Sequence, residues 1–179
     1  MQRMRKLWLS ATLGVGLIWA QSSAGLVAEA RFPWTVVRDN LLKMAEKMPD
    51  EGYAFRPVPE IESFGQRLAH IARANLFVCQ GVMGMEGTLG RGPATATKTE
   101  LIVQLKESSA ACDKAFASVT DAGALEKINA RFGGPFPPEK TRTKLATLNN
   151  MVRHSNEMYG YMSVYLRLKG IVPPSSAPE

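Results

Sequence analysis

The chain has 179 residues, 45% of them hydrophobic and 21% charged, with a formal net charge of +6 at pH 7. That is enough for one domain that buries its own core without staples. The lysines and arginines form no cluster of the kind that tracks a phosphate backbone, which leaves a nucleic-acid role without support.

Arg3, Arg5 and Lys6 precede an apolar run from Leu7 to Ala20, after which Ser22-Ser23-Ala24 and Ala28-Glu29-Ala30 offer small-residue steps. This is the layout of a secretory signal peptide. The competing reading is a permanent anchor, but a run of about fourteen residues is short for a span of about twenty. The expected organisation is a signal peptide over residues 1–30 and one domain over 31–179, periplasmic or secreted, with no stable membrane span after cleavage. Cleavage can follow Ala24, Ala28 or Ala30, and the last step is favoured because the next segment already looks structured. Losing Arg3, Arg5, Lys6 and Glu29 takes the net charge from +6 to +4.

Pro33 and Trp34 open the first helix, in which Val37, Leu41, Met44 and Met48 recur on one face. Met48 to Gly52 ends it. Tyr53 to Ile61, with Pro57 and Pro59, is an extended connector, because proline biases the residue before it away from helix.

Ser63-Phe64-Gly65-Gln66 is a capping box, followed by an apolar stripe of Phe64, Leu68, Ile71, Val78 and Val82 that Asn75 interrupts. This second helix runs to about Met83. Residues 84–96 carry Gly84, Gly87, Gly90 and Gly92, which lack the Gly-Lys-Ser/Thr ending of a phosphate loop and read as loop punctuation. Thr97-Lys98-Thr99-Glu100 is a second capping box, and Leu101, Leu105, Ser108, Cys112, Phe116 and Val119 share one face behind it. The third helix ends near Thr120. A short turn over Ala124–Ala130 and a rigid break over Gly133–Pro138 follow.

The fourth helix is expected to start near Pro138-Glu139, with proline and an acid suited to a first turn. It runs to about Lys169, roughly thirty residues or 45 Å. Leu145, Leu148, Val152, Ser155, Tyr159, Met162 and Leu166 keep a three-four spacing, widened by Met151, Met158 and Tyr165. Arg153, Asn156, Glu157 and Arg167 lie on the other side. Gly170 suits a left-handed cap and Pro173 forbids continuation. No strand-like alternation of useful length competes, so the fold class is all-α, a four-helix bundle with long connections.

Two cysteines in an exported chain are a disulfide candidate. Cys79 and Cys112 would close a loop of about 34 residues, worth roughly 3–4 kcal/mol in the chain-entropy picture. The alternative is two buried thiols packing as small hydrophobes. His70 and Cys79 lie about 180° apart on the second helix, so a mixed His/Cys zinc site is disfavoured. His154 and Met158 sit one turn apart on the fourth helix.

Three stretches together resemble the DinB-like (DinB/YfiT-type) four-helix bundle family, in particular its secreted bacterial members. They are Met44-Ala-Glu-Lys-Met-Pro49 with Tyr53-x-Phe-Arg-Pro57, then Ser63-Phe-Gly-Gln-x-x-x-His70, and finally His154 with Tyr159-Gly160 and Tyr165-Leu-Arg-Leu-x-Gly-Ile-Val-Pro-Pro174. The resemblance implies a divalent-metal site of three histidines. Its positions here are His70, His154 and position 158, which is Met158, and the nearby position usually held by glutamine is Tyr161. It also implies a homodimer, which the wide apolar face of the fourth helix permits.

Imidazole suits zinc, nickel or copper, whereas a thioether is a weak ligand for zinc and nickel. The set therefore leaves three readings. His70 and His154 hold one divalent metal (zinc or nickel) in an enzyme of the thiol S-transferase or hydrolase type. With Met158 they hold copper(I). Or they hold no metal and are hydrogen-bonded core histidines in a non-catalytic module that binds a small molecule or a partner, the reading favoured here. The methionines read mainly as core filling. Tyr165 and Arg167 are candidates for anion binding or for packing the Ile171–Pro174 tail.

Overall fold

The computed structural model describes residues 25–85, 96–128 and 142–178. Four helices carry the architecture: α1 (Leu26–Lys47), α2 (Phe64–Val82), α3 (Lys98–Ser118) and α4 (Lys144–Leu168). A two-residue ladder pairs β1 (Lys127–Ile128) with β2 (Arg142–Thr143) antiparallel, Lys127 opposite Thr143. Around the bundle the order is α1, α3, α2, α4, so α1 and α2 stand on a diagonal while α2 packs against both α3 and α4. Among the described residues no helix is long and apolar enough to cross a membrane.

Both capping boxes form. Ser63 Oγ accepts from the Gln66 amide while the Gln66 side chain takes the Ser63 N–H, and Thr97 and Glu100 do the same for α3. Each pair satisfies two orphan amides at a helix start, which fixes where α2 and α3 begin. At the other end of the chain Gly170 adopts φ 72°, with Ile171 N donating to Leu166 O and Gly170 N to Arg167 O. These are the two bonds of a Schellman stop, and a side chain at position 170 would strain them.

Two helix starts differ from expectation. α1 begins at Leu26, so Pro33 lies inside it rather than at its head. The missing proline amide removes one helical bond, and burial of Trp34 on the next residue, at 0% exposure, holds the helix through that gap. α4 begins at Lys144, not near Pro138: Arg142 and Thr143 are extended in the β1–β2 ladder, and Thr143 Oγ1 caps the Ala146 amide. Pro138 and Glu139 themselves lie outside the described residues, as do the loop glycines 87, 90 and 92. A 3₁₀ turn over Asp50–Ala54 also takes in Tyr53 and Ala54, the first two residues of the connector expected to be extended.

The apolar stripes converge on one core. Trp34, Phe64, Phe116, Leu41, Met44, Leu68, Ile71, Leu105, Leu148 and Met162 are all nearly or completely buried, each worth about 1.5–3 kcal/mol relative to exposure. α1 is tied to α3 by Asp113, which accepts from Trp34 Nε1 at 2.8 Å and from Arg38 through both carboxylate oxygens. α2 is tied to α3 by the Cys79–Cys112 disulfide, which joins positions 33 apart in sequence with Cα atoms 4.9 Å apart. Cys112 Sγ also lies 3.4 Å from the Asn75 carbonyl oxygen. A disulfide sulfur has no proton, so this is a packing contact and not a hydrogen bond.

Candidate functional site

The α2–α4 seam is where the polar residues of both helices meet. Its floor is buried: Ser155 Oγ donates to Asn75 Oδ1 at 3.0 Å, and both side chains are fully enclosed. Asn75 therefore interrupts its apolar stripe to bind the opposite helix. Its Nδ2 has no hydrogen-bond acceptor among the described residues.

One turn up, His70 Nε2 and His154 Nε2 face each other at 3.1 Å, with the rings edge-on at 75°. A hydrogen bond of this kind needs one Nε2–H donor and one bare Nε2 acceptor, so the two rings hold different tautomers. Burial, together with the charges of His70 and Arg153, holds the His154 pKa below the usual histidine value, while Glu157 opposes the shift.

Beyond the histidines stands Arg67, one turn before His70 on α2. Its Nε donates to Tyr165 Oη at 3.1 Å, and Nη1 points at Met158 Sδ, 3.8 Å away. Its guanidinium carbon lies 5.5 Å from the centroid of the Tyr161 ring, within cation–π range. Tyr165 Oη in turn donates to Glu62 O at 2.8 Å, and its ring meets Phe55 and Phe64. A basic residue on α2 is thus lodged in a sleeve of Met158, Tyr161 and Tyr165 supplied by α4.

The seam unites His70, His154, Met158 and Tyr161, all singled out in the sequence, and adds Arg67. Cys79 is elsewhere, on the α3 side of α2. Arg167 is exposed. The C-terminal tail is held instead by Tyr159, whose Oη bonds the Ser175 side chain and amide, and by Lys47 Nζ on Val172 O. Tyr165 looks to the 55–64 connector and not to the tail. Arg67 was missed because one charged residue beside a stripe carries no signal alone. Its spacing of three from His70 on the same helix was the available clue.

The donors suit zinc or nickel badly. Among the described residues no three of the His, Cys, Asp and Glu side chains gather into a ligand set. Glu157, the nearest carboxylate in sequence, is turned to Arg153 at 3.3 Å and Tyr161 at 3.2 Å. The third position offers a thioether already touched by a guanidinium. At about 6 Å and an effective dielectric of about 20, each pair of like unit charges costs about 3 kcal/mol, and a dication doubles that.

The arrangement defines a helical bundle with a paired-histidine seam between its second and fourth helices. The DinB superfamily model matches residues 34–162, and the chain belongs to that superfamily. Among solved structures it is similar to a DinB-like protein from Bacillus cereus, with 20% identity and a TM-score of 0.68 over 84% of this chain and 97% of that one. It is also similar to a DinB-like protein from Bacillus subtilis, with 16% identity and a TM-score of 0.63 over 79% of this chain and 92% of that one. At such identities the likeness is one of fold. No curated protein matches the chain.

Proposed function

We propose that the protein is an exported, non-catalytic DinB-like module that binds a small molecule or a partner at the α2–α4 seam. One observation carries the reading: Arg67 projects into the region where a third metal ligand would be needed, and it engages Met158 there. A guanidinium has five N–H donors, and Tyr165 and Met158 use two of them. The remaining guanidinium N–H groups, beside the His70–His154 pair, suit a ligand carrying a carboxylate or another anionic acceptor. Export is supported by the basic-apolar-small order of residues 3–24 and agrees with the Cys79–Cys112 disulfide.

A second reading has its own observation. The 3.1 Å between the two Nε2 atoms is a span that one ion with bonds of about 2.0 Å could bridge. With Met158 the set would favour copper(I), a soft ion. Copper(I) titration of the wild type and of Met158→Leu separates the two readings. Binding weakened tenfold or more in the variant supports copper. Equal affinity in both would remove Met158 from the site, and no binding by either protein supports the non-metal reading. Metal-dependent turnover of a thiol or ester by the wild type would end the non-catalytic reading.

A further inference from the structure

The leader is followed by three small-residue steps, and the fold treats them differently. α1 begins at Leu26, with Gly25 as its extended N-cap at φ −65° and ψ 164°. Gly25 has no side chain to cap the helix. The cap comes from Asp121, in the turn that follows α3: its Oδ2 accepts from the Leu26 amide at 3.2 Å and its Oδ1 from the Val27 amide at 3.0 Å. A carboxylate here satisfies orphan amides and complements the positive end of the helix. The capping group arrives close to the backbone. A Cβ on Gly25 would come 2.0 Å from Asp121 Oδ2, so the approach depends on glycine at that position.

The first turn is part of the core as well as of the cap. Val27 is 7% exposed, Ala30 packs against the core cluster, and Glu29 N donates to Gly25 O. Cleavage after Ala28 would remove Val27 and both amides that Asp121 holds. Cleavage after Ala30 would take Ala30 as well. Cleavage after Ala24 removes none of these, and Ser22 and Ala24 place small residues two apart before the bond.

We propose that export processing cuts between Ala24 and Gly25, and that the new amino terminus pairs with Asp121. Hydrolysis of that amide consumes one water and leaves a carboxylate on Ala24 and an ammonium on Gly25. A positive charge at the amino end of a helix opposes the helix dipole. Asp121, already on the next two amides, neutralises it. The cap built from the far end of α3 is thus a receptor for a terminus that exists only after processing. This inference rests on the export reading, and it replaces the cleavage after Ala30 that the sequence alone favoured.

The test is export of the full chain from a bacterial host, with intact mass and amino-terminal sequencing of the protein recovered outside the cytoplasm. A terminus at Gly25 is expected. A terminus at Glu29 or Arg31 overturns the inference while leaving export intact. A full-length chain retained in the cell overturns both. Asp121→Asn, processed in the same host, should keep the Gly25 terminus and melt several degrees lower. An unchanged melting temperature would remove Asp121 from the role assigned to it.

Discussion

α2 presents two faces that were put to different uses. The face toward α3 carries Cys79 and Ala72 and is closed by the disulfide, so its contacts are apolar and covalent, and the Cys79–Cys112 bond fixes the register of the two helices. The face toward α4 carries Arg67, His70 and Asn75, each meeting a specific atom on the opposite helix. One face holds the bundle together, and the other would hold a ligand. In this chain the apolar core and the disulfide hold the bundle, which leaves the polar α2–α4 seam free to carry specific chemistry.

The largest expected effect breaks the stable side. Cys79→Ala with Cys112→Ala should cost about 3–4 kcal/mol by the loop-closure argument, measured by urea unfolding. The melting temperature should fall by roughly 10 °C. A loss under about 1 kcal/mol would show that α2 and α3 need no covalent tie. Next comes the floor between the faces. Ser155→Ala strips Asn75 Oδ1 of its donor inside the core and should cost about 1–3 kcal/mol. A neutral result would place water, and not Ser155, on Asn75.

Changes in the seam should be milder for the fold. Arg67→Met removes a hydrogen bond to Tyr165 and the cation over Tyr161 but keeps an apolar stem. We expect about 1 kcal/mol or less in stability, with zinc or copper affinity raised at least tenfold by loss of the charge. Unchanged metal affinity would show that Arg67 does not guard the seam. The smallest effect is in pH. The folded His154 pKa lies below the unfolded value of about 6.5, so the unfolded chain binds more protons in that window. The stabilisation is present above about pH 6.5 and fades as the pH falls toward the folded value. Melting temperature should drop modestly between pH 7.5 and 5.5, and His154→Gln should flatten that slope. A wild-type profile that rises on acidification would reverse the assignment.

The scaffold was legible in the sequence because it follows from local rules. Ser63 with Gln66, Thr97 with Glu100, and Gly170 before Pro173 each mark a helix end through atoms within a few residues. The stripe from Leu101 to Val119 turned out buried as its spacing implied. The misplaced helix starts were of the opposite kind. α1 is capped by Asp121, almost a hundred residues away, and α4 is delayed by a ladder with Lys127 and Ile128. No local pattern announces either. In the site, the positions of His70, His154 and Met158 were visible. Arg67 was not, because its meaning comes from the antiparallel register that sets it against Met158 and Tyr165 and leaves Glu157 facing outward.

Met158 and Arg67 leave the His70–His154 pair without a third strong donor for zinc or nickel. The check is the metal content of the purified protein after loading with zinc, nickel and copper in turn, followed by removal of free ion. Wild type should hold below about a tenth of an equivalent of each metal, and close to one equivalent of zinc once Met158→His is combined with Arg67→Met. One equivalent of tightly held metal in the wild type would contradict it.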